Sequence, residues 1–240
     1  MAVQKTFMDF VEQTTEKLET QKPQLLREPQ QLNRESQEFK PKHDTALAQK
    51  VANELSEMWS SIYHKANFDK FLDIILASLE RREADYMILI KDIDRNVLET
   101  YAKMYGTLYH YFIDGNYGDP LGTFYMTQFS YGRNGEFYTP WNIAYFMAQM
   151  LDPKPEEIVC DPCVGSGIML LAARCIIHEK YGWITSSRYG RNLYGIDNSD
   201  RAVKTAKINL YLTDYIYMIC LMQEVVFTQN ERVEEKKVMM

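Results

Sequence analysis

The chain has 240 residues, of which 46% are hydrophobic, 25% charged and 13% aromatic, with a formal net charge of −6. That is the composition of a globular protein with a core. The acidic balance excludes a freestanding non-specific nucleic-acid binder, which needs a basic face to neutralise phosphates. No apolar run approaches the ~18–20 residues of a spanning helix, and the N-terminus lacks the apolar centre of a secretion signal. Four irregularly spaced cysteines do not form a disulfide framework. A cytoplasmic protein without membrane contact is expected.

In chain order, Phe7, Phe10, Val11, Thr14 and Leu18 fall at spacings of three and four, which predicts a short amphipathic helix within residues 1–20. Residues 21–44 hold three prolines and few large apolar side chains, the pattern of an irregular arm. Residues 45–131 read as a helical domain. One stripe runs through Leu47, Val51, Leu55, Met58 and Ile62, and a second through Phe68, Phe71, Leu72, Ile75, Leu76 and Leu79. Asn67 and Asp69 are candidate caps of the second helix. The same period continues from about Tyr86 to Ile113, which predicts one long helix closed by the Gly- and Asn-rich turn before Pro120. The aromatic stripe of Tyr101, Tyr105, Tyr109 and Phe112 has the spacing of a buried face and is expected in the core.

Beyond residue 131 the pattern changes. Glu157–Asp161 is a short apolar run ending in an acid, followed by a Gly-Ser-Gly loop and a helix-like stretch from Ile168 to Lys180. Asn192–Asp197 is a second run ending in an acid, followed by a helix carrying Ala202, Val203, Ala206, Ile208, Leu210 and Leu212. Strand, helix, strand, helix predicts a βαβ unit and a parallel sheet. Ligands of open α/β sheets bind at the carboxyl ends of the strands, where Asp161 and Asp197 both fall. Gly165 and Gly167 between them let backbone approach a ligand without a Cβ, and the helix start just after offers free amides to an anion. A carboxylate in the position of Asp197 can take both hydroxyls of a ribose. The loop reads D-P-x-x-G-S-G and its second acid lies 30 residues past Gly167, which disfavours the simple dinucleotide fingerprint.

The loop Asp161-Pro162-Cys163-Val164-Gly165-Ser166-Gly167 resembles the S-adenosyl-L-methionine loop of the adenine-N6 DNA methyltransferases, and more narrowly of the modification subunit of type I restriction systems. Gly135-Glu136-Phe137-Tyr138-Thr139-Pro140 is similar to that family's other cofactor motif, Leu193–Asp197 to its ribose-binding strand, and Asp119-Pro120-Leu121-Gly122 with Tyr125 to its helical lead-in. The resemblance covers roughly residues 45–213. It implies an α/β fold in which a helical N-terminal domain precedes a partial Rossmann-like methyltransferase domain at 132–240. It implies that Phe137, Tyr138 and Thr139 approach the methionine end of the cofactor, that Asp161, Gly165, Ser166 and Gly167 cradle it, and that Asp197 holds the ribose. Thr139-Pro140 also reads locally as an N-cap followed by the first helical residue. Cys160 and Cys163 form a C-x-x-C with no second cysteine pair, so no metal or redox role is expected of them.

The family's acceptor motif, Asn/Asp-Pro-Pro-Tyr/Phe, holds a flipped adenine by its amino group. The chain has no Pro-Pro dipeptide, and its last proline is Pro162. The expectation is therefore a cofactor-binding member of the family that reaches double-stranded DNA through a partner. That partner is a specificity subunit, a second methyltransferase chain or a second copy. The alternative is a non-catalytic interaction or regulatory protein of a restriction-modification or mobile-element cassette. The apolar run Tyr215–Met222 suits a cover for the open sheet, as helix or as strand. Residues 174–207 carry seven Lys/Arg against three Asp/Glu, open to reading as a DNA-backbone contact or as a solvated face.

Overall fold

The structure, a computed structural model, describes residues 40–130, 138–182, 186 and 192–213. The readings for residues 1–39, Phe137 and Tyr215–Met222 lie outside them, as do Arg188 and Arg191, two of the seven basic residues of 174–207. Five helices come first: α1 (Thr45–Ile62), α2 (Phe68–Leu79), α3 (Glu83–Ile90), α4 (Arg95–Ile113) and the short α5 (Pro120–Tyr125), which runs into a π-helical turn at Met126–Ser130. Then come α6 (Trp141–Leu151), β1 (Val159–Asp161), α7 (Ile168–Tyr181) and β2 (Leu193–Gly195). A last helix, α8, occupies residues 200–213.

The helix starts follow local chemistry. Asp44 accepts the Leu47 amide at 2.9 Å to cap α1, and Asn67 accepts the Lys70 amide at 3.0 Å to cap α2. Asp69, the other candidate cap, instead pairs with Arg201. The long helix expected from Tyr86 to Ile113 is two helices. Asp94 accepts the Asn96 amide at 3.0 Å and starts α4 afresh, so a cap interrupts an apolar period that runs on through it. Tyr101, Tyr105, Tyr109 and Phe112 are all buried, and Trp59 stacks on Tyr101 with ring centroids 6.1 Å apart.

β1 and β2 pair in parallel, with Val159 opposite Leu193 and Asp161 opposite Gly195, and α7 makes the crossover. The molecule is thus a mostly helical α/β chain with one two-stranded parallel sheet among the described residues. The strands are shorter than the sequence runs that predicted them. The pairing continues past them into the loop, because the Ile196 amide donates to Asp161 O and the Val164 amide to Ile196 O, both at 2.9 Å.

The large core formed by α1–α5 also contains Ile208 and Leu212 of α8, while a second cluster joins α6 to α7 through Trp141, Ala144, Ala148, Leu171, Ala172 and Cys175. Along the α2–α8 seam, Arg201 forks onto Asp69 with Nε–Oδ1 and Nη2–Oδ2 distances of 2.6 and 2.7 Å, while Lys204 meets Asp73 at 2.7 Å and Lys207 meets Glu80 at 2.9 Å. Arg174 is buried and donates to Thr213 Oγ1 at 2.7 Å. Among the described residues, the basic excess of 174–207 therefore goes largely into holding α8 and α7 in place. No helix among them is long and apolar enough to cross a membrane.

Candidate functional site

The loop between β1 and α7 is closed by the two acids that flank it. Asp161 Oδ1 accepts the Cys163 amide at 3.0 Å, a turn that starts the loop. Asp197 Oδ2 accepts the Gly165 amide at 2.9 Å, and its Oδ1 accepts the Ser199 amide at 2.9 Å at the start of α8. One carboxylate thus ties the glycine loop to the end of the neighbouring strand. Two of its acceptor sites are used in this way by the described residues.

Gly165 and Gly167 have φ of +52° and +87°, in the left-handed region that L side chains avoid. Close approach adds to the requirement. A Cβ on Gly167 would lie 3.1 Å from both Cα and Cβ of Ala206 on α8, and one on Gly165 would lie 3.5 Å from the Tyr138 ring. Tyr138 therefore packs over the loop, which joins two sequence segments read separately. Its ring also stacks on Tyr125, centroids 6.0 Å apart.

Ser166 is buried, and its carbonyl accepts Asn209 Nδ2 at 2.9 Å. The same Asn209 nitrogen donates to Asp119 Oδ1 at 2.9 Å, and the Gly122 amide donates to that oxygen at 2.7 Å. Asp119 is only 4% exposed. Burial pushes its carboxyl up, while the Ser166 hydroxyl, the Gly122 amide and Asn209 pull the other way. A Cβ on Gly122 would overlap Asp119 Oδ2, so only glycine fits there. Sequence reading missed this hub. Its signals were a buried-face asparagine three residues after Ala206, and Asp-Pro as N-cap and first helical residue of α5.

Thr139 is not an N-cap. Pro140 takes that place, its carbonyl accepting the Ile143 and Ala144 amides at 3.0 and 3.1 Å, and the cap makes no side-chain bond. The entry shifts by one residue because Pro140 keeps an extended ψ of 145°. Thr139 instead lines a cavity of about 560 Å3 together with Tyr138, Asp119, Met126, Trp141 and Ile168. That volume lies in the ~300–1,000 Å3 range of small-molecule sites. Ile168 begins α7 directly after Gly167, so the cavity reaches the helix N-terminus where the loop ends. The described candidates Asp161, Gly165, Ser166, Gly167 and Asp197 gather around the loop, and Tyr138 and Thr139 connect it to the cavity. Cys160 and Cys163 are free and exposed.

A parallel βαβ unit with a glycine loop and an acid at the carboxyl end of each strand is the place where open α/β sheets hold their ligands. The chain belongs to the N-6 DNA Methylase family, whose model matches residues 117–238. It is 29% identical over 128 residues to the type I restriction enzyme MjaVII methylase subunit of Methanocaldococcus jannaschii, a stretch that is 51% of this chain and 21% of that subunit. It is 31% identical over 99 residues to the MjaVIII methylase subunit of the same organism, covering 39% of this chain and 16% of the relative. To the EcoEI methylase subunit of Escherichia coli it is 34% identical over 70 residues, covering 28% and 14%. The matched stretch is thus about a fifth or less of those relatives. No solved structure matches the chain.

Proposed function

We propose that this chain is the cofactor-binding part of a type I modification methyltransferase, with a Rossmann-like site for S-adenosyl-L-methionine. The observation that carries the reading is the Gly165 amide bonded to Asp197 under the Tyr138 ring, because it gathers three separate motif segments around one loop. The residues fit the cofactor. Asp161 and Asp197 offer carboxylates to its ammonium and its ribose hydroxyls. The N-terminus of α7 suits its carboxylate, and Gly165 and Gly167 let backbone come close. Bound there, the cofactor supplies a sulfonium methyl group to a nucleophilic nitrogen. The chain's own contribution is to orient it and, through Tyr138 and the cavity wall, to keep water away.

Transfer to adenine requires groups that accept hydrogen bonds from the N6 amine and a pocket for the flipped base. In this reading a partner chain supplies both, together with sequence recognition of double-stranded DNA. A second reading, a non-catalytic interaction protein of a restriction-modification cassette, is favoured by the exposed apolar face of α6, where Phe146, Met147, Met150 and Leu151 are all solvent-facing.

Calorimetric titration with S-adenosyl-L-methionine tests the first reading. Binding in the micromolar range that is lost in Asp197→Ala supports a live site. No binding to a folded wild-type chain sinks it and leaves the interaction reading.

A further inference from the structure

Outside the candidate cofactor site, three potential metal ligands of different chemistry converge. Cys175 and Glu179 are four residues apart on α7 and so share a face. His43 reaches them from the segment before α1. That segment is pinned by its backbone, with the Lys42 amide on Gly115 O at 2.9 Å and the Tyr117 amide on Lys42 O at 2.8 Å. The His43 ring lies against Tyr145 and Trp141, with centroids 4.6 and 5.9 Å away. Its Nδ1 is 3.7 Å from Cys175 Sγ, and its Nε2 is 2.7 Å from Glu179 Oε1. The Tyr145 hydroxyl is 2.9 Å from each Glu179 oxygen. One ligand atom from each of His43, Cys175 and Glu179 falls within 4.8 Å of the others.

A cysteine, a histidine and a carboxylate in a row also suggest a nucleophilic triad, but Cys175 is 0% exposed and no substrate reaches it. Burial first, and the charge of Glu179 second, push its thiol up, so it is a neutral thiol and a poor nucleophile. A soft sulfur, an imidazole and a carboxylate are instead the donor types of zinc. Zn–S near 2.3 Å and Zn–N near 2.0–2.1 Å at a tetrahedral angle put sulfur and nitrogen about 3.6 Å apart, and the observed separation is 3.7 Å. A thiolate and a carboxylate also cancel the charge of a divalent ion.

We propose that His43, Cys175 and Glu179 form a zinc site with three protein ligands and one open position. His43 Nδ1 and Cys175 Sγ ligate the ion, Glu179 turns from Nε2 to become the third ligand, and water enters as the fourth past the half-exposed His43 and Glu179 side chains. Zinc displaces the Cys175 thiol proton to solvent on binding, with no change of oxidation state. Tyr145 steadies the carboxylate. The ion clips the segment before α1 to α7, beside the cavity wall formed by Thr45 and Trp141.

The test uses the full chain with Cys160, Cys163 and Cys220 changed to Ser, so that Cys175 is the only thiol. Zinc is titrated against a chromophoric chelator, and cobalt(II) serves as the spectroscopic probe. One equivalent of zinc, release of about one proton per ion at neutral pH, a raised melting temperature and a cobalt–thiolate charge-transfer band are expected. Removing Tyr145's hydroxyl in Tyr145→Phe weakens binding by roughly tenfold or more. Cys175→Ser abolishes the band. His43→Ala, at a half-exposed position, abolishes stoichiometric uptake even if the cysteine variant does not fold. Absence of stoichiometric uptake, uptake without the band, or uptake unchanged in His43→Ala overturns the site. None of these readouts depends on S-adenosyl-L-methionine.

Discussion

At the scale of single residues, Asp119 carries the most. It caps α5, and through Asn209 it holds the Ser166 carbonyl of the glycine loop, although it lies 47 positions before Ser166 in the chain. Asp119→Ala removes the cap and leaves Asn209 with the Ser166 carbonyl but without its carboxylate acceptor in the interior, at a cost of about 2–4 kcal/mol by denaturant unfolding. Asp119→Asn keeps an acceptor for both donors. Because burial raises the folded carboxyl, the folded state holds its proton after the unfolded chain has lost it. Its titration therefore adds no stability difference below the unfolded value near 4. Its stability cost grows as pH rises from there to the folded pKa and is constant above it. The Asn variant is expected to gain on the wild type as pH rises through that window. A difference in unfolding free energy that stays flat with pH contradicts this. Gly167→Ala forces a left-handed alanine against Ala206, costing about 2 kcal/mol or more, and in the proposed reading weakens S-adenosyl-L-methionine binding in the calorimeter. The glycines and acids of the loop stood out in the sequence by their place at the strand ends, whereas the Gly165–Asp197 bond and the approach of Gly167 to Ala206 came only with the fold. Asp119 was read only within the segment resembling the family's helical lead-in, because the partner that ties it to the loop comes from a helix 90 residues away.

At the scale of elements, the apolar stripes of α1 and α2 were read from periodicity alone, and Asn67 was placed correctly as a cap. Periodicity cannot show where a helix stops when its apolar face continues, which is why α3 and α4 merged in the reading until Asp94 divided them. The α2–α8 seam was equally hidden, since Lys/Arg residues of α8 look like a basic patch until their acids on α2 come into view. Arg201 joins a fork on Asp69 to the faces of Phe68 and Tyr125, 5.9 and 5.6 Å from its guanidinium carbon. Lysine keeps the charge but loses the fork and the stack, so Arg201→Lys is expected to cost about 1 kcal/mol. The hydrogen bond from Arg201 holds the Asp69 carboxyl below its ordinary value. This contribution is fully present above the unfolded pKa near 4 and disappears as pH falls through the lower folded one. Wild type and Arg201→Lys should accordingly converge in stability toward acid pH. Divergence there would mean that packing rather than charge holds the seam.

At the scale of the whole molecule, one feature stays unbalanced. A parallel sheet is normally covered on both faces, yet among the described residues Ile158, Tyr194 and Ile196 around β1 and β2 are exposed, as are Phe146, Met147, Met150 and Leu151 on α6. An exposed apolar helix face suits a partner, and the proposed function requires a partner that brings the acceptor groups for adenine. The two requirements meet if the partner seats on the α6 face. Charges placed there separate association from cofactor chemistry. Phe146→Glu with Met150→Lys sits on solvent-facing positions and should change stability by less than about 0.5 kcal/mol. S-adenosyl-L-methionine binding should be unchanged, because neither residue lines the loop or the cavity. Methyl transfer from tritiated cofactor to adenine-containing duplex should be undetectable for the chain alone. It should appear when a specificity subunit or second methyltransferase chain is added, and be lost again in the double variant. Incorporation by the pure chain would show that the acceptor groups are already present. Transfer that persists with the double variant would place the partner on another face.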